Sequence, residues 1–254
     1  MTDLEDLFDA FEIPDACIID RRIPKKRLIE EAPTAADRMR ISDGVERIQW
    51  RAVLKPETTG IAGFKDQVRT VEELTVLQLE LRSDRQGDRI AELVHRAIPY
   101  LVVLITQHEH NVSVSLADKR WSLAEKSKMV LEDDFLQADI PSDGSHEHID
   151  EMVSHLALTQ QPQSSLYAVY RGWMDTLVAF LAVAYTDRFS LSESPEHAEH
   201  RRHALKRVKM LDIEIASIQR TAGKERQVAK RAELNLRLQE LRLERSAQLA
   251  LLSS

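Results

Sequence analysis

Two hydrophobic periods divide the 254-residue chain, and the change from one to the other limits its possible folds more than any other feature. In "RIQWRAVL" Ile48, Trp50, Ala52 and Leu54 alternate with polar or basic neighbours, and in "LTVLQLELR" Leu77, Leu79 and Leu81 alternate with Gln78, Glu80 and Arg82. A period of two sends alternate side chains to opposite faces of a pleated strand, so both segments are read as half-buried strands. "DRIAELVHRAI" places Ile90, Leu93, Val94, Ala97 and Ile98 at helical spacing, with Asp88 as a candidate N-cap and Pro99 as the stop. "YLVVLIT" is apolar throughout, the mark of a strand covered on both faces, and "NVSVSLA" alternates again, so the "HEHN" between them reads as a hairpin turn. "SKMVLEDDF" is a candidate edge strand. Trp50, Leu79, Val94, Val103 and Val114 are expected in one core.

Past the linker-like "PSDGSHEHID" at 141–150 no strand signal remains. Residues 148–159 and 164–188 read as helices broken near Pro162, and the last part as a helical hairpin. Ala204, Val208, Leu211, Ile215 and Ile218 follow the 4-3-4-3 spacing of a coiled-coil seam, and "TAGKE" at 221–225 offers the turn. The second hairpin helix has two apolar faces. Leu234, Leu238 and Leu241 lie on one side, and Ala229, Ala232, Leu236, Leu243, Ala247 and Ala250 about 180° away. An alanine-rich face permits close helix approach, so it is assigned to the hairpin seam. The Leu234/Leu238/Leu241 face, ringed by Arg231, Arg237, Arg242 and Arg245, is assigned to docking a partner.

The sum is an α+β chain: a mostly antiparallel sheet with one or two helices, then an all-helical part ending in a coiled-coil hairpin. The expected divisions are an irregular segment 1–45, an α+β domain 46–140, a helical segment 147–190 and the antiparallel hairpin 197–252. The first of these holds a basic cluster, Arg21, Arg22, Lys25, Lys26 and Arg27, around Pro24, which is expected to start a short helix.

Charge is unevenly spread. The formal net charge is −7, yet residues 199–245 hold 13 Lys/Arg against 7 Asp/Glu, so a segment of +6 is joined to a remainder of −13. On the first hairpin helix Arg202, Lys206, Lys209 and Arg220 fall within about 60°, opposite the seam, over about 27 Å. Such a stripe is able to follow a phosphate backbone, although coiled-coil faces are commonly charged for solubility alone. The single cysteine, Cys17, excludes an internal disulfide and a cysteine zinc site. The acidic opening "MTDLEDLFDAFEIPDA" lacks the pattern of a signal peptide, and "LVAFLAVAY" is too short to span a bilayer, so a cytoplasmic protein without membrane contact is expected.

Catalytic signals are sparse. His108/His110 and His146/His148 form His-x-His pairs, with Glu109, Glu147 and Asp150 able to complete a metal shell, but histidines in polar turns are commonly just exposed. Glu80 and Arg82, on alternate strand positions before a helix, are the nearest approach to a metal-dependent nuclease pair, and arginine is a poor proton donor or acceptor. No phosphate-cradling glycine loop, nucleophile elbow or Cys/His dyad is present, so no cofactor and no catalytic residue is expected.

At "IPKKRLIEEA", "VERIQWRAVLKPETTGI", "VEELTVLQLELR", "RAIPYLVVLIT" and "KERQVAKRAELNLRLQEL" the chain resembles a bacterial family known as domain-of-unknown-function family 4391. The terminal block is carried here by Lys224, Glu225, Gln227, Glu233, Leu234 and Asn235. The resemblance implies a genomic setting beside Swi/Snf-type helicases and DNA methyltransferases in restriction and antiphage islands, and it brings no catalytic residues. It therefore implies a non-enzymatic accessory subunit of a DNA-targeting defence assembly, docking a helicase or methyltransferase through the hairpin. Sequence-independent DNA binding by the basic stripe is the alternative, and a metal-dependent nuclease a weak third.

Overall fold

A computed structural model describes residues 4–123, 129–132, 135–140 and 148–253. The chain is α+β. Its leading segment is not irregular, because it carries α1 (Leu4–Asp9), β1 (Ile18–Arg22), α2 (Lys25–Glu31) and α3 (Ala35–Gly44). Pro24 stands immediately before α2, and the Thr34 hydroxyl caps α3 by accepting from the Asp37 amide at 3.0 Å. Then come β2 (Val45–Leu54), a one-turn helix α4 (Pro56–Thr59), the two-residue strands β3 (Phe64–Lys65) and β4 (Thr70–Val71), and β5 (Leu74–Leu81). α5 (Gly87–Ala97) leads to β6 (Leu101–His108), β7 (Asn111–Leu116), β8 (Lys119–Trp121), β9 (Met129–Leu131) and β10 (Leu136–Ile140). α5 starts one residue before Asp88, which lies in its first turn, and Gln86 takes the cap position with φ 107°. The remaining elements are α6 (Ile149–Ser154), α7 (Leu166–Thr186), α8 (Pro195–Lys224) and α9 (Val228–Ser253).

Six strands form the main sheet in the order β1-β2-β5-β6-β7-β10. All neighbours are antiparallel except β5 and β6, and a parallel pair needs a crossover, which α5 supplies. Alternation in β2, β5 and β7 and the continuous apolar run of β6 identify the four central strands, and neither pattern marks the two edges. β1 reads "IIDRR", almost wholly exposed, and β10 pairs with β7 from a stretch of only five residues. The candidate edge strand at 127–135 is described only in part. Its β9 pairs with β8 in a separate two-stranded sheet.

The sheet has two apolar faces. On one, Ile48, Leu77, Leu79, Leu81, Val102 and Leu104 pack with Val94 of α5, Leu28 of α2 and Ile41 of α3, and Trp50 joins them partly buried. Val103 and Val114 are fully buried but belong to the opposite face, where Val103 pairs with Val76 and Leu116, and Val114 with Ile105. The single expected core is therefore two. On the second face the buried Arg51 straps α1 and β1 to the sheet. Its guanidinium pairs with Glu5 at 2.7 Å and Asp20 at 2.8 Å, donates to Gln78 Oε1 at 2.6 Å, and lies 4.1 Å from the Phe8 ring centre.

Compactness divides the chain into two units, Met1–Leu177 and Val178–Ser254, with the boundary inside α7. In the first unit Gly172 lets α7 approach the preceding loop. A Cβ there would sit 2.4 Å from Gln161 Oε1 and 2.8 Å from Pro162 Cδ. Tyr170 is buried with its hydroxyl bonded to the Ala117 amide and the Val102 carbonyl, and the Trp173 indole donates to the Leu156 carbonyl at 2.8 Å.

Candidate functional site

The second unit is built on an antiparallel hairpin of two long helices, α8 of 30 residues and α9 of 26. Ser194 caps α8 by accepting from the His197 amide at 3.1 Å, and Pro195 occupies the first helical position. The turn is residues 225–227. Gly223 lies inside the last turn of α8, where a Cβ would meet nothing within 4 Å. The glycine expected to make the turn is thus not required by it.

Which face of α9 closes the hairpin is the reverse of the expectation. Leu238 and Leu241 are 6% and 0% exposed and cluster with Leu211 and Ile215 of α8, with Ile218 alongside. Leu234 is half-buried. The opposite face stays open, with Leu236 63% and Leu243 67% exposed. The physical reason is volume. Opposite Leu211, Ile215 and Ile218 only leucines fill the seam, whereas an alanine face would leave voids and strand six methyl groups of leucine in water. The face bearing Leu234, Leu238 and Leu241 is therefore the intramolecular seam, and the surface left free is Val228, Leu236, Leu243 and the alanines between them.

The expected arginine rim divides in the same way. Arg245 pairs with Asp212 at 2.5 Å and lies over the Tyr185 ring, and Arg237 joins Glu214 and Glu240, both at 3.1 Å. These two are fasteners of the hairpin, as is Arg207, which pairs with Glu244. Arg231 and Arg242 are exposed, and no ion pair engages either among the described residues. Arg242 and Leu243, with Asn235, Leu238 and Gln239, line a shallow hollow of about 460 Å³ on α9.

The basic stripe of α8 is not four open cations. Arg202 and Lys206 are half-buried, and of the four only Lys209 and Arg220 are exposed. Arg202, Lys206 and Lys209 each already hold an interaction, and the Arg220 guanidinium donates back to the Ala216 carbonyl at 3.2 Å. Arg201 and Leu205, between the seam and the stripe, are both 1% exposed. The first half of α8 is thus covered beyond its seam, a property that heptad spacing does not reveal.

The nuclease pair is engaged structurally. Glu80 receives Arg47 from the adjacent strand at 2.8 Å and Gln78 Nε2 at 3.2 Å, and Arg82 pairs with Glu46. His108 closes the ladder opposite Asn111 and is half-buried, and His110 is the second residue of the two-residue turn Glu109–His110, in which Glu109 has φ 54°. His146 and Glu147 lie outside the described residues, and His148 bonds to Glu151. Among the described residues no group of three or more His, Cys, Asp or Glu could hold a metal ion.

One polar cluster in the first unit has no signature in the sequence, because its bonded partners lie up to 98 positions apart. Asp118, 3% exposed, accepts from Arg69 at 2.5 Å, Tyr167 at 2.8 Å and Arg171 at 3.1 Å, while Arg69 also reaches Glu132 at 2.7 Å. The neighbouring charges hold the Arg69 guanidinium above its ordinary pKa despite burial, and burial beside Asp118 pushes the Tyr167 hydroxyl up. Both Asp118 oxygens and the Arg69 fork are occupied, so the cluster ties β8 and β9 to the start of α7 rather than awaiting a ligand.

Fold and hairpin together define an α+β protein with a long helical hairpin. The family described as Domain of unknown function (DUF4391) matches residues 11–244, and the chain belongs to it. No curated protein and no solved structure matches the chain.

Proposed function

We propose that this chain is a non-catalytic accessory subunit that docks a partner protein through the outer face of its hairpin. The observation that carries the reading is the pair Leu236 and Leu243, 63% and 67% exposed on α9 while the opposite leucines close the seam. Apolar side chains repeated at helical spacing on a fastened hairpin suit an amphipathic partner helix. Arg231 and Arg242 are exposed together on one side of α9, between this face and the seam, so the fitting partner presents apolar residues with carboxylates along that side. A helicase or DNA methyltransferase encoded beside the gene is the partner that the family resemblance implies, within a DNA-targeting defence assembly.

The test is co-expression with the neighbouring helicase or methyltransferase. The double variant Leu236→Glu/Leu243→Glu keeps its helical circular dichroism and its melting temperature within a few degrees, and fails to co-purify with the partner. Undiminished co-purification of the double variant would overturn the assignment of the face.

A further inference from the structure

A cleft of about 690 Å³ opens in the first unit, on the sheet face that α2 also covers. Its apolar walls include Leu28, Leu77, Ile98 and Pro99, and Tyr100, 45% exposed, stands at it. Two polar atoms in the cleft wall have no hydrogen-bond partner. Thr75, 1% exposed, has its Oγ1 unbonded, and Trp50 has its indole Nε1 buried and unbonded. A buried donor without an acceptor costs about 1–3 kcal/mol, so two in one cleft need a reason.

Charge accompanies them. Arg21, Arg22 and Arg27 line the cleft, and no ion pair engages any of them among the described residues. They belong to the basic cluster around Pro24, and the fold gives that cluster a place. Arg21 stands opposite Trp50 in the β1–β2 ladder, and α2 brings Arg27 beside it. Glu30 and Glu31 also line the cleft, and among the described residues Glu30 is held by an exposed 3.8 Å pair with Lys26 alone. One side of the opening is held from below, where the buried Lys119 Nζ donates to the carbonyls of Ile98, at 2.6 Å, and of Tyr100.

We infer that this cleft binds a nucleoside monophosphate. The size suits a small organic molecule. Arginines in this number answer a phosphate, the two carboxylates accept from ribose hydroxyls, and Tyr100 with the aliphatic wall takes the face of a base. Trp50 Nε1 and Thr75 Oγ1 then meet acceptors on the base edge, which removes the two orphaned groups. An apolar ligand would leave both unbonded, and a bare phosphate would leave the aromatic and aliphatic walls wet.

Isothermal titration calorimetry on the whole chain tests this with the four nucleoside monophosphates, adenosine, ribose 5-phosphate and inorganic phosphate as separate probes. At least one nucleoside monophosphate binds, at least tenfold more tightly than adenosine, ribose 5-phosphate or phosphate alone. Arg21→Gln/Arg27→Gln weakens it at least tenfold. Thr75→Val weakens it severalfold while leaving the melting temperature of the unliganded chain equal or higher, because it removes an unbonded hydroxyl. No binding by any of the four at millimolar concentration overturns the inference, as does binding no tighter than that of phosphate, or binding indifferent to both variants. A Thr75→Val chain that melts well below the parent would show that the hydroxyl is engaged in the fold, and would also overturn it.

Discussion

Lys119 shows how a single residue can couple the interior to pH. Its side chain is 1% exposed and meets only backbone carbonyls, so burial lowers its pKa from 10.5 to about 7. Between about pH 7 and 10.5 the unfolded chain then binds more protons at this residue than the folded one, so unfolding takes up a proton and stability rises with pH. Replacing Lys119 with Met should flatten that rise, measured as the urea midpoint across the window. An unchanged rise in the variant would place its origin elsewhere. His95, buried against Ser115 at 3.0 Å and held well below its ordinary pKa by burial and by Lys119, acts in the same direction at lower pH. Asp37 acts on the acid side. The guanidiniums of Arg89 and Arg40 and the Thr34 hydroxyl hold its carboxyl far below the usual range, so its contribution is present above about pH 4 and lost as pH falls further.

At the scale of elements the hairpin behaves as one object with two unlike sides. Leu238 and Leu241 are interior, whereas Leu236 and Leu243 face water on the same helix. Leu238→Glu with Leu241→Glu puts two carboxylates into the seam against Leu211 and Ile215, at about 3 kcal/mol or more each. That double variant should lose much of its helical signal and become sensitive to proteolysis within residues 195–253, which limited digestion followed by mass spectrometry would show. Retained helicity there would mean that the seam lies on the other face. The paired variants thus separate folding from docking. A partner lost with the outer pair is lost for want of contact, and one lost with the inner pair for want of a hairpin.

For the whole molecule, the main sheet draws its strands from residues 18 to 140 in sequence order, but long insertions separate β1 from β2, β2 from β5 and β7 from β10, so these pairings close long loops. The centre of that construction is β5, paired on both sides and buried on both faces. Leu79 there is 0% exposed, among Ile48, Val94 and Leu104. Leu79→Asp should cost several kcal/mol, lowering the melting temperature by 10 °C or so, or abolishing recovery of folded protein. A variant melting like the parent would refute this packing.

The sequence by itself determined the class and the elements whose side chains repeat with a period. β2, β5, β7, α5 and the two hairpin helices are legible because their apolar side chains recur with the period of the element, even in β5, where the polar Gln78 between the leucines is itself buried. β1 is nearly all exposed, and α3 carries a scattered mixture, so neither has a pattern to read. Tertiary structure alone decided phase and partnership. β6 is apolar at every position from Leu101 to Ile105, so its sequence cannot say whether Val102 or Val103 meets α5. α9 carries two apolar faces about 180° apart, and only the volume left beside Leu211 and Ile215 selects the leucines over the alanines. The cleft was least legible of all. Its arginines were visible as a basic cluster, but the indole and the hydroxyl beside them lie on β2 and β5, and only their pairing with β1 and α2 brings the three together. Periodicity records whether a residue is buried; what it is buried against depends on residues far away in the chain.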